Sequence, residues 1–342
     1  MTRLDGADTR TRLVRTWLLV VAGLVVAMVV VGGATRLTHS GLSITEWKPI
    51  LGTIPPLSDA DWQDAFSKYQ QIPEYKMINR GMSLAEFKAL YWWEWSHRLL
   101  GRLIGVVFLV PFVIFWWRGW LAPGLALRLG GVFALGGLQG VAGWYMVASG
   151  LAERTDVSQY RLALHLGLAV LILAAILWLV LRLGRPAADW ARTGWAVWSG
   201  GFLLGLVVLQ IILGAFVAGL DAGLSHNTWP LMDGRLFPDG LFAMSPLWLN
   251  AFENVATVQF NHRMVAYGVA LFAGLVALAH WRIGSAAAGS ARMLLAMVLG
   301  QVALGVWTLL AAVPIGLGLA HQLLAMAVLA AAVYHLHRVG SA

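Results

Sequence analysis

The chain has 342 residues, 59% of them hydrophobic and only 12% charged, with a mean hydropathy of +0.74. A soluble domain is about 25% charged, so this is an integral membrane protein whose first partner is the lipid bilayer. The net charge of +8 does not point to nucleic acid, because the basic residues are spread over the ends of apolar segments. The absence of cysteine excludes disulfides, thiolate-held zinc, iron–sulfur clusters and covalently attached heme.

In chain order, residues 1–16 read as a short cytoplasmic N-terminus carrying Arg3, Arg10, Arg12 and Arg15 beside Asp5 and Asp8. The run Trp17 to Thr35 is long enough to span, at about 1.5 Å per residue, and lacks a small-residue cleavage site. It reads as a retained helix. No transit-like segment precedes it, which indicates a bacterial inner membrane. Seven more spanning segments follow at 92–117, 124–147, 160–181, 194–219, 254–280, 293–313 and 317–336. Loop 36–91 contains Pro55-Pro56 and Asp59-Ala60-Asp61-Trp62 and is expected to form short amphipathic helices lying on the membrane surface. Arg118, Arg128, Arg182, Arg185, Arg192, Arg282, Arg292 and Arg338 mark the inner side, placing both termini in the cytoplasm. Trp92-Trp93 and Trp116-Trp117 bracket one apolar run as interfacial belts do.

The halves repeat. Gly33-Ala34 through Ser40-Gly41-Leu42-Ser43 returns as Gly214-Ala215 through Ala222-Gly223-Leu224-Ser225, and Gln139-Gly140-Val141-Ala142-Gly143 as Gln301-Val302-Ala303-Leu304-Gly305. His97-Arg98 matches His262-Arg263, and His165 matches His321. The predicted fold class is an all-α integral membrane protein of eight transmembrane helices, arranged as two pseudo-symmetric four-helix bundles. Their bounds are 17–181 and 194–342, joined by a cytoplasmic linker 182–193 with Gly184, Pro186 and Asp189. Gly136, Gly137, Gly140 and Gly143 would let helices approach closely.

Imidazole inside a bilayer is costly to desolvate, so four histidines at matching places indicate ligation. His97, His165, His262 and His321 each fall within about the first two turns of a helix entering from the outer side. Two in each half come from helices running the same way, an arrangement that suits a heme held between two imidazoles near the periplasmic surface. Arg98, Arg263 and, one turn below the former, Arg102 could meet heme propionates or snorkel to the interface. His280, His335 and His337 at inner helix ends are expected to face headgroups. His39 and His226 lie in outer loops beside the repeated Gly-Leu-Ser and are weaker candidates to line a site. The halves differ at one place: Glu94, three residues before His97, answers to Gln259 before His262. A carboxylate can relay a proton, orient water or stabilise positive charge, so the difference favours chemistry in the N-terminal half. A structural ion pair of Glu94 with Arg98 is the alternative.

On Glu94-x-x-His97-Arg98, on Gly33-Ala34-Thr35-Arg36-Leu37 running into Ser40-Gly41-Leu42-Ser43, and on Asn261-His262-Arg263, the chain resembles the heme A synthase family over essentially its whole length. Without cysteine, it is similar to the subclass that lacks the loop cysteine pair. The resemblance implies an oxidoreductase that converts the C8 methyl of heme O to a formyl group by two successive hydroxylations. It implies that His262 and His321 hold a resident heme b, that His97 and His165 line the heme O site, and that Glu94 is the catalytic carboxylate. It also brings expected partners: the farnesyltransferase that makes heme O, a redox partner and a further copy of the chain. Two readings compete with it. A diheme b-type cytochrome would need the four histidines but not the difference between Glu94 and Gln259. A transporter would want ionisable groups midway across the membrane, where few lie.

Overall fold

A computed structural model describes residues 2–152, 154–184 and 194–340, with side chains from residue 9. Its helices are α1 (Thr2–Leu37), α2 (Asp59–Tyr69), α3 (Pro73–Met77), α4 (Leu84–Trp117), α5 (Pro123–Ala152), α6 (Gln159–Gly184), α7 (Trp195–Gly219), α8 (Asn250–Glu253), α9 (Val255–Arg282), α10 (Ala288–Leu310) and α11 (Ile315–Gly340). Eight of them, α1, α4–α7 and α9–α11, are long and apolar enough to cross a membrane. Among the described residues there is no β-strand. The expected all-α multi-pass architecture is therefore present. The residues form two compact units, 23–169 and 1–22 with 170–342. Of the expected linker, residues 185–193 lie outside the described residues.

α4 starts eight residues before the apolar run that announces it. The Ser83 hydroxyl accepts from the Glu86 N–H, and the Glu86 carboxylate accepts from the Ser83 N–H, a reciprocal cap that sets the helix start. His97 consequently sits in the fourth turn of α4, not within the first two, whereas His165, His262 and His321 keep their expected places in α6, α9 and α11.

The extra turns have a partner. α2, capped by Ser58 and Asp61, buries Trp62, Phe66 and Tyr69 against Phe87 and Tyr91 of α4, with Leu42, Ile72 and Val157 closing a small core. Burial of such side chains contributes roughly 1.5–3 kcal/mol each. The expected short helices are therefore present in this loop, and the apolar face of α2 is covered by protein.

Two further expectations are corrected. His280, His335 and His337 do not face headgroups: they are 1%, 0% and 3% exposed. His280 lies between the rings of Trp195 and His335, His335 bonds the Ser290 hydroxyl at 3.0 Å, and His337 stands edge-on to Trp178. Aromatic rings and one hydroxyl surround them inside the unit, while both His280 ring nitrogens and His335 Nε2 are buried without a hydrogen-bond partner. Of the four α5 glycines expected to allow close helix approach, a Cβ at Gly136, Gly137 or Gly140 would meet nothing within 4 Å. Among these four, Gly143 alone makes a close approach, and it approaches a histidine.

Candidate functional site

In unit 23–169 the candidate pair is His97 of α4 and His165 of α6. Both rings are half-buried by protein, which leaves part of each open. The His97 ring lies against α1, where a Cβ on Gly32 would come within 3.2 Å of Nε2. The His165 ring lies against α5, where a Cβ on Gly143 would come within 2.9 Å of Cε1. Gln139, one turn before Gly143, donates to the His165 carbonyl oxygen at 3.0 Å.

Glu94, 2% exposed, is tied by both carboxylate oxygens. Oε2 accepts from the Ser43 hydroxyl at 2.8 Å and the Ile44 N–H at 2.6 Å, while Oε1 accepts from Arg98 Nε at 3.0 Å and Nη2 at 2.5 Å. Arg98 also donates to the carbonyls of Ile44 and Glu46, and Arg102 to those of Lys48 and Pro49. A carboxylate one turn above His97 therefore stitches the loop after α1 onto α4. Beneath that loop is a cavity of about 360 Å³ lined by Ser43, Glu46, Lys68, Tyr91, Arg98 and Arg102.

In the other unit the paired histidines and their glycines recur, with a neutral amide in place of the carboxylate. The counterparts are His262 of α9 and His321 of α11, and both are half-buried. Cβ atoms on Gly214 and Gly305 would come within 3.3 and 2.7 Å of their Cε1 atoms. Gln210 and Gln301 donate to the carbonyls of His262 and His321. Gln259 replaces the carboxylate. Its Nε2 donates to the carbonyls of Ala222 and Ser225, and its Oε1 accepts from Arg263. Arg263 also donates to the carbonyls of His226 and Thr228.

The predicted residues thus assemble into two matching sites, one per unit, and these sites fit a macrocycle ligated by paired imidazoles. The rings are partly open, glycines leave room beside them, and His165 Nδ1 is buried without a partner. Arg263 Nε and Arg102 Nη1 are likewise buried and unpartnered, available to an anionic group. His39 and His226 stand in left-handed turns at φ 51° and 46°, where His39 meets Arg36 and His226 meets Ser225. Sequence reasoning did not single out Gln210 or Gly32, and it named Gly214 and Ser43 only as parts of the repeat. The spacing Gln-x-x-x-Gly was the available signal: the repeat contains it twice, and Gln210 to Gly214 is a third copy.

The model of the cytochrome oxidase assembly protein family (COX15-CtaA) matches residues 15–333. The chain belongs to this family. A heme A synthase of Parvibaculum lavamentivorans is 53% identical over 98% of this chain and 97% of its own length. Heme A synthases of Azorhizobium caulinodans and Bradyrhizobium diazoefficiens are 56% and 54% identical, over 95% and 100% of this chain and 93% and 95% of their own lengths.

Proposed function

We propose that this chain is a heme A synthase, an oxidoreductase that takes heme O as substrate and oxidises its C8 methyl to a formyl group by two successive hydroxylations. The observation that carries the assignment of roles is the exchange of Glu94 for Gln259 between two sites that each pair two histidines. His262 and His321 hold a resident heme b, which supplies one-electron transfer when bound. His97 and His165 receive the substrate. Glu94 is the catalytic carboxylate: it stands one turn from His97, holds the overlying loop through Ser43 and Ile44, and accepts a proton as the methyl is oxidised. Arg263, with its spare Nε–H, and Arg98, with an Nη1–H beyond its single bond to Glu46, meet propionates. The sites face the periplasm and both termini the cytoplasm, a reading supported by the arginines of the inner loops. A redox partner, the farnesyltransferase that supplies heme O and a second copy of the chain complete the proposed surroundings.

The experiment is extraction of the non-covalent hemes from protein purified after co-expression with a heme O source, separated with absorbance and mass detection. Heme b together with heme O, its hydroxylated intermediate or heme A is the expected result. Heme b alone would overturn the synthase reading in favour of an electron-transfer cytochrome.

A further inference from the structure

Three of the four histidines rest in one kind of cradle. On α5, α7 and α10 a glutamine and a glycine four residues later share a helix face, as Gln139 with Gly143, Gln210 with Gly214 and Gln301 with Gly305. In each case glutamine Nε2 donates to the backbone carbonyl of the facing histidine, at 3.0, 3.0 and 2.9 Å. The same nitrogen then lies 3.4, 3.1 and 3.2 Å from a ring nitrogen of His165, His262 and His321. The amide is pinned at one end by the carbonyl and presses on the imidazole at the other. The glycine lets the Cε1 edge of the ring come close against the neighbouring helix. The ring can neither lift nor turn without breaking that contact.

His97 has only half of this. Gly32 provides the space, but the residue four before it is Met28, whose Cε reaches within 3.3 Å of where a Cβ on Gly101 would stand. A thioether donates no hydrogen bond and its chain is flexible. Among the described residues, the His97 side chain makes no hydrogen bond.

We propose that Met28 makes His97 the releasable member of its pair, while Gln139, Gln210 and Gln301 are positioning residues that hold the other three imidazoles. This rests on the reading of residues 23–169 as the substrate half, and it supplies what that half needs. A substrate macrocycle must enter and leave, whereas a resident one must stay. One pair has a single clamped imidazole; the other has two.

The test uses the full chain in detergent, loaded with hemin, with release followed by transfer to excess apomyoglobin. His97→Ala and His262→Ala assign the faster and slower phases to the two pairs. Met28→Gln is expected to slow release from the pair containing His97 by about tenfold. Gln301→Met is expected to speed release from the other pair by about tenfold, equivalent to about 1.4 kcal/mol, the size of one hydrogen bond. Gln301→Met should also shift the g-values of that site's low-spin ferric signal in electron paramagnetic resonance, because those follow imidazole orientation. Release within about twofold of the parent in both variants, with unchanged g-values, would overturn the cradle and leave the synthase reading standing. Failure of the parent chain to bind hemin through its histidines would overturn both.

Discussion

Glu94 and Gln259 occupy equivalent places on equivalent helices and reverse the direction of their hydrogen bonds. The carboxylate receives an O–H and an N–H from the segment after α1; the amide gives its N–H groups to two carbonyls in the segment after α7. Each side chain is matched to its own loop, so neither can be exchanged alone.

Glu94→Gln should therefore do two things. It removes the carboxylate, with an expected fall in conversion of at least about 100-fold, and it places an amide N–H against the Ser43 or Arg98 donors, loosening the loop. Heme held by His262 and His321 should be unaffected. Product heme measured by chromatography, alongside total heme per chain, checks both outcomes.

His262→Ala or His321→Ala should lose the resident heme, whereas His97→Ala or His165→Ala should retain it and lose conversion. Reduced-minus-oxidised spectra of the purified variants report the first property, and heme A yield the second. Equal loss of heme from all four would sink the division between the halves.

Gly305→Ala places a methyl within 2.7 Å of His321 Cε1, and the ring must move because the methyl rises from a rigid helix. Heme affinity of that site should fall by about tenfold or more, as expected for misplacing a ligand by a fraction of an ångström. Gly137→Ala, which meets nothing within 4 Å, is the matched control and should bind normally. Hemin titration of the two variants compares them directly.

The segment between α1 and α4 should respond to pH through Glu74 of α3. This carboxyl is 5% exposed, and burial raises it from 4.5 to about 8, with Asp156 and Glu94 adding to the rise and Tyr69 and Arg36 opposing it. A raised acid is protonated in the folded state where the unfolded chain is already ionised. Its contribution is thus intact below about pH 4.5 and is lost as pH rises toward 8. Hydrogen exchange in α2 and α3, corrected for intrinsic rates, should show easier opening at pH 8 than at pH 5. Glu74→Gln should flatten that dependence.

Much of this was legible in the sequence. Spanning helices announce themselves by length and hydropathy, and internal duplication exposed His97, His165, His262 and His321 together. The start of α4 was missed because Leu84–Tyr91 is amphipathic, although Ser83 and Glu86 carried the capping signal. The inner histidines were misplaced because position along a helix says nothing about the face a ring takes. Packing decided that for His280, through Trp195 and His335. Gln210 escaped notice because its neighbours differ from those of Gln139 and Gln301; only the four-residue interval to a glycine is shared.

Arg98 and Arg263 grip their overlying segments almost wholly by main-chain oxygen, at residues 44 and 46 in one case and 226 and 228 in the other. Main-chain oxygen is common to every amino acid, so these grips register how many residues the connection contains and are blind to which ones they are. Replacement of Thr45 by almost any residue should leave the grip whole, whereas adding or deleting a single residue there would carry one carbonyl out of reach. The arginines act as rulers for the strap above each histidine pair.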